Sequence, residues 1–168
     1  MAATPHADPS PLAIGCAVLT VSDTRTPETD GSGQLIQTQL TDGGHQLVAY
    51  QILPDEPELI RATVLAWCAD AAIAVILING GTGIAPRDTT YDAIATVLEK
   101  KLPGFGELFR ALSYQEIGSR AMASRAIAGT HSSTLIFSLP GSSNAVRLGM
   151  EALILPELSH LYRQLHLQ

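Results

Sequence analysis

Ile73-Ala74-Val75-Ile76-Leu77-Ile78-Asn79-Gly80-Gly81-Thr82-Gly83 decides how the rest of the chain is read. Ile73 to Asn79 reads as a buried strand, apolar through Ile78, that stops abruptly at glycines. A strand with one wet face would alternate, so an unbroken run implies burial on both faces. Asp88-Thr89-Thr90 then offers a cap for a helix expected to reach about Lys101. Buried strand, glycine turn and helix together form the unit of an α/β sheet.

The same unit recurs on either side. Upstream, Ala13 to Val21 is a second buried strand that ends in Ser22-Asp23. A polar loop from Ser22 to Gly33 follows. A helix is predicted over Gln34–Leu40, closed by Gly43-Gly44. Gln46 to Leu53 is strand-like. Asp55 is the expected cap of the next helix, with Pro57 in its first turn and Glu58 at capping-box spacing. Leu59, Ile60, Val64, Trp67 and Cys68 make the apolar face of that helix. Downstream, Pro103-Gly104 breaks the chain before a helical stretch from Phe105 to Tyr114. Ala126 to Thr130 and Thr134 to Leu139 pair as a hairpin around His131-Ser132-Ser133. Pro140-Gly141-Ser142-Ser143 leads into a last helix from about Asn144 to Leu165, kinked at Pro156.

Alternating buried strands and amphipathic helices predict an α/β fold with helices on both faces of the sheet. The late hairpin makes that sheet mixed and mostly parallel. Residues 1–12 are read as a flexible tail and residues 13–168 as one domain. Ligands of such sheets bind beyond the carboxyl ends of the strands. That rule selects three loops: Ser22 to Gly33, Gly80 to Asp88, and Pro140 to Asn144.

Composition narrows the function classes. The 168 residues are 46% hydrophobic and 15% charged, enough apolar surface for a folded core. A net charge of -6 argues against a nucleic-acid binder, which needs the opposite sign. Cys16 and Cys68 show no metal or redox spacing and read as reduced thiols. Met1 to Pro11 lacks the basic and apolar parts of a signal peptide, and no run is long enough to span a bilayer. A soluble, cytoplasmic protein is expected, with no membrane partner.

Gly80-Gly81-Thr82-Gly83 lets backbone N–H groups approach an anion at a helix start. It is neither a P-loop, which ends in Gly-Lys-Ser/Thr, nor the dinucleotide fingerprint. Pro140-Gly141-Ser142 is a similar turn, and Ser22-Asp23-Thr24 a third polar cluster; each also reads as a helix cap or a side-chain turn. Asp88 stands beside the glycine loop. A carboxylate beside a phosphate repels it unless a cation intervenes, and Mg²⁺ is the usual one. Arg87 either clamps the same phosphates or pairs with a carboxylate. No hydrolase elbow, His-Glu-x-x-His motif or histidine cluster is present.

Several stretches together resemble the MoaB/Mog family of molybdenum cofactor biosynthesis proteins. They are Thr20 to Arg25, Asp30 to Gln34, Gly43 to His45, Pro54-Asp55, Gly80 to Gly83 and Arg87 to Thr90. The most specific are Pro103-Gly104-Phe105-Gly106-Glu107-Leu108-Phe109-Arg110 and Ser124-Arg125-Ala126 with Ala128-Gly129. Pro140-Gly141-Ser142 and Ser113-Tyr114 are closest to the MoaB branch. Tyr91 stands where the family often has proline.

The resemblance implies a three-layer α/β/α fold assembled as a homotrimer or hexamer. It implies binding of molybdopterin, a pterin carrying a dithiolene and a phosphate. Active members adenylate it with ATP and Mg²⁺, releasing pyrophosphate; no prosthetic group is expected. By position, Asp55 and Asp88 are the expected catalytic pair and the expected magnesium ligands. Ser22, Asp23, Gly80, Gly81, Thr82, Gly83, Arg87, Pro140, Gly141 and Ser142 are expected to line the pterin or nucleotide. A molybdate-inserting protein is a possible partner. The alternative function is an oligomeric molybdopterin-binding protein that transfers no AMP. An acidic chain with anionic ligands should gather its arginines near the site, and Arg25, Arg87, Arg110, Arg125 and Arg147 are the candidates.

Overall fold

The computed structural model describes residues 12–166. The tail expected over residues 1–12 lies outside the described residues apart from Leu12. Six strands form one sheet in the order β2-β1-β3-β6-β5-β4. Strands β1 (Gly15–Val21), β2 (Gln46–Leu53), β3 (Val75–Asn79) and β6 (Thr134–Leu139) run parallel. Strand β5 (Ile127–His131) returns antiparallel to β6 as the expected hairpin, and the short edge strand β4 (Lys100–Lys101) pairs antiparallel with β5.

Strand periodicity splits the core in two. Cys16, Val18, Val75, Leu77, Leu135 and Phe137 face one side of the sheet. They pack against α1 (Gly31–Asp42), α4 (Pro103–Ile117), α5 (Ser143–Gly149) and α6 (Leu155–His166). The intervening residues Ala17, Leu19, Ile76, Ile78 and Ile136 face the other side, against α2 (Pro57–Cys68) and α3 (Thr90–Val97). Successive side chains of a strand point to opposite faces, so strands buried at every position, as β3 and β6 are, require cover on both. The result is the expected three-layer α/β/α architecture with a mostly parallel mixed sheet. No helix among the described residues is long and apolar enough to cross a membrane.

Several local expectations are corrected. Helix α1 starts at Gly31, not Gln34, because the Asp30 carboxylate accepts the Gly33 N–H at 2.9 Å and caps the helix there. Asp55 does not cap α2. Glu56 holds that position without a side-chain hydrogen bond, and Glu58 pairs with Arg61 rather than closing a capping box. Of the expected apolar face of α2, Ile60 and Val64 are buried while Leu59 is exposed.

Helix α3 ends at Val97, short of Lys101. Leu98 turns to an extended conformation, and Lys100 and Lys101 pair with Thr130 and Gly129. The last helix is broken into α5 and α6 by a π-helical turn over Met150–Ile154. Pro156 lies just beyond. Proline has no N–H to donate, and its ring clashes with the carbonyl four residues back; a widened turn relieves both.

β2 flanks β1 on one side and β3 flanks it on the other. The chain therefore leaves the sheet in opposite directions from two neighbouring strands, and a crevice opens beyond their carboxyl ends.

Candidate functional site

Val21 and Asn79 end the neighbouring strands β1 and β3, and the turn after β6 comes up beside them. Gly80 has φ +98°, and a Cβ there would collide with the carbonyl oxygen of Val21. Only glycine lets the two strand ends approach so closely. Gly141 closes from the other side, where a Cβ would lie 3.0 Å from the Gly80 Cα. Ser32 Oγ donates to the Gly141 carbonyl at 2.8 Å and ties α1 to this turn. Ser142 caps α5 by accepting the Ala145 N–H at 3.2 Å.

These elements surround a cleft of about 380 Å³, lined by Ser22, Arg25, Gly31, Ser32, Asn79, Gly80, Gly141 and Ser142 among others. Ser22 Oγ accepts the N–H groups of Thr24 and Arg25, which shapes the turn that brings Arg25 to the rim.

A buried network forms the cleft floor. Asp30 is 2% exposed, and its Oδ2 accepts from Thr20 Oγ1 and from Tyr50 OH, each at 2.6 Å. Asn79 Nδ2 in turn donates to Thr20 Oγ1 at 2.9 Å. Burial and the Asp30 charge push the Tyr50 hydroxyl well above its usual range. The network joins three strands to the first turn of α1 and holds the floor rigid.

Beside the cleft lies a second set of contacts. Asp23 accepts the Asp55 N–H at 3.1 Å and a forked pair of bonds from Arg87, at 3.1 and 3.2 Å. Arg87 also donates to Glu56 at 2.9 Å. The Arg87 fork holds the Asp23 carboxyl below the usual carboxylate range, and the two acids hold Arg87 protonated. Asp55 is 6% exposed and turns its carboxylate to the start of α3, taking Thr89 Oγ1 at 2.7 Å. Gly81, at φ +62°, packs so near the Asp55 carboxylate and Thr90 that no side chain fits.

The rest of the glycine loop turns away from the cleft. Arg125 donates to the carbonyls of Thr82 at 3.1 Å and Gly83 at 2.8 Å, with its guanidinium 4.7 Å above the Tyr91 ring. Tyr91 thus seats the arginine that holds the loop. Asp88 folds back to accept the Ala85 N–H at 3.0 Å and faces a second cavity of about 470 Å³, shared with Arg61, Asp92 and Arg125.

The structure thus brings Ser22, Gly80, Gly141 and Ser142 into one cleft, with Asp23, Asp55 and Arg87 beside it. Gly81, Thr82 and Gly83 line neither that cleft nor the second cavity, Asp88 lines the second cavity, and Pro140 is not part of the cleft lining. Asp55 and Asp88 share no hydrogen-bond partner. No group of three or more metal-ligating side chains occurs among the described residues. Of the candidate arginines, Arg25 lines the cleft, Arg87 pairs with Asp23 and Glu56 beside it, and Arg125 lines the second cavity. Arg110 and Arg147 lie elsewhere: Arg110 lines a separate small cavity with Lys101, and Arg147 pairs with Glu116 and Glu151.

Sequence reasoning missed Asp30, Thr20, Asn79 and Tyr50 as site residues. The Asp30-to-Gly33 spacing is a helix-start signal that would have found the first. The Tyr50 contact is a pairing across strands and leaves no local trace.

Comparison with known proteins gives the family and the fold. The family described as "probable molybdopterin binding domain" matches residues 17–160. The chain is 50% identical to the molybdenum cofactor biosynthesis protein B of Bacillus cereus, over 100% of both chains. A crystal structure of a molybdenum cofactor biosynthesis protein B superposes with a TM-score of 0.92 at 51% identity, covering 95% of this chain and 99% of that one. The molybdopterin biosynthesis enzyme MoaB of Thermus thermophilus superposes at 0.80 with 36% identity, covering 90% and 96%.

Proposed function

The chain belongs to this molybdopterin-binding domain family of molybdenum cofactor biosynthesis, and from that premise we propose that it adenylates molybdopterin with Mg²⁺ and ATP. The observation that carries the reading is the convergence of the β1, β3 and β6 loops on one polar cleft, with glycine backbone at its centre. The Gly80 N–H is committed to the Leu139 carbonyl at 3.1 Å, so the N–H groups of the Gly141-Ser142 turn and Arg25 are the ones that suit an anionic phosphate.

In the reaction an oxygen of the molybdopterin phosphate attacks the α-phosphorus of ATP. The new bond is a phosphoanhydride; the bond to the bridging oxygen breaks and pyrophosphate leaves. Such chemistry needs alignment and charge neutralisation more than a covalent partner from the protein. Ser22, Gly80, Gly141 and Ser142 hold the substrate in the cleft. The loop from Gly81 to Gly83, kept in place by Arg125, and the Asp23–Arg87 pair set the boundary toward the nucleotide.

The residues suit magnesium in one part. Asp88 Oδ1 accepts no hydrogen bond among the described residues and fits an ion shared with phosphate oxygens. Both oxygens of Asp55 already accept from Thr89, so its immediate task is to orient the start of α3 and, through it, Asp88. Bound magnesium would neutralise charge on the transferring phosphates.

The test is pyrophosphate release that depends on molybdopterin, with a no-pterin control. Release supports transfer. Tight molybdopterin binding without release supports the alternative, a binding protein of the same pathway. We also propose a homo-oligomer, supported by Leu108, Tyr114 and Ile117 exposed along α4.

A further inference from the structure

The hydrogen-bond polarity of the cleft floor can be worked out atom by atom. An ionised carboxylate only accepts, so Asp30 forces the hydroxyl protons of both Thr20 and Tyr50 to point at it. Thr20 Oγ1, its proton committed, is left with lone pairs. Its remaining partner must donate, and Asn79 does so through Nδ2 at 2.9 Å. The orientation of the Asn79 amide is thereby fixed by the network. Its Oδ1 accepts no hydrogen bond from any described residue, and Asn79 lines the cleft.

We propose that Asn79 Oδ1 is the specificity-determining acceptor of the cleft, held by the Asp30–Thr20 relay to read an N–H donor edge of the pterin ring. The inference rests on the molybdopterin reading above and deepens it. Phosphate is held by backbone and arginine, which accept any phosphate ester. The ring is read by one carbonyl oxygen whose direction a buried carboxylate sets. Asp30 has no ion-pair partner among the described residues, an expensive way to cap a helix that Asn or Ser could cap as well. A fixed acceptor at that point accounts for the charge, because a neutral side chain would let the hydroxyls and the amide turn over.

Thr20→Val keeps the side-chain shape and removes the relay; Asn79→Ser shortens the reader itself. Val64→Ala, in the opposite core layer, serves as a control for general destabilisation. Molybdopterin affinity is measured by fluorescence titration, with competition by 6-hydroxymethylpterin, which has no phosphate, and by inorganic phosphate. Thr20→Val and Asn79→Ser are expected to weaken molybdopterin and 6-hydroxymethylpterin by about tenfold, the loss of one well-placed hydrogen bond. Phosphate competition and the Val64→Ala titration should stay within about twofold of wild type, below the effect of one lost hydrogen bond. Thr20→Val and Asn79→Ser binding molybdopterin as wild type does would overturn the assignment. Equal loss in Val64→Ala would also overturn it, in favour of a purely structural network. A wild-type protein that fails to bind molybdopterin removes the functional reading and this inference with it.

Discussion

Thr89 is tied to Asp55 through both its hydroxyl and its backbone: Oγ1 donates at 2.7 Å, and the N–H lies 3.2 Å from each carboxylate oxygen. Thr90 Oγ1 adds a contact at 3.3 Å. One buried carboxylate thus caps a helix 34 positions further along the chain and fixes the residue that follows Asp88.

Asp55→Ala therefore leaves buried donors at the start of α3 unsatisfied, a loss of about 2–3 kcal/mol of folding stability. Asp55→Asn retains an acceptor and should lose about half of that by the same accounting. Urea unfolding monitored by the single tryptophan reads both. Equal stability of all three proteins would show that the contacts contribute nothing.

Asp88→Asn should behave differently. Its carboxylate accepts only the Ala85 N–H at 3.0 Å, a bond that an amide oxygen can keep. Stability should change by less than about 0.5 kcal/mol while AMP transfer falls by about a hundredfold or more. An unfolded variant whose folded fraction remains active would reduce Asp88 to a turn residue.

Arg125→Lys tests the hold on the glycine loop. Lysine cannot reach two carbonyls with a planar fork or stack as well on Tyr91. The ion pair with Asp92 is discounted, since that partner is 67% exposed. The expected cost is about 1–2 kcal/mol from the carbonyl bonds. Faster amide exchange should be confined to the segment from Thr82 to Thr90; unchanged exchange there would mean that the loop holds itself.

Much of this was legible in the sequence, and the limits have physical causes. Unbroken apolar runs such as Ile73 to Ile78 announce buried strands, and β2 was bounded correctly at Gln46–Leu53 by the flanking glycines and proline. Helix starts were less legible. Asp30 and Asp55 both look like caps, yet one caps its own helix and the other a distant one, because a carboxylate binds whichever free N–H groups the fold brings near. The cleft was found in outline through Ser22, Gly80 and Gly141, which sit at strand ends. Its floor was not, because Tyr50 and Asp30 meet only once β2 lies beside β1.

Stability should also depend on pH through His45. Burial lowers its pKa in the folded protein below the ordinary 6.5. The unfolded chain then binds the proton more readily, so stability is full above about pH 6.5 and falls as pH drops through the folded-state value. His45→Gln should flatten the melting temperature between about pH 5 and 7. An identical pH profile in the variant would assign the slope to other groups.

The most direct measurement is the mass of the pterin product after wild-type protein is incubated with molybdopterin, ATP and Mg²⁺. A species heavier by one adenylyl group, formed by wild type and not by Asp88→Asn, is the predicted result. Molybdopterin recovered unchanged, with no pyrophosphate formed, would contradict the adenylyltransferase.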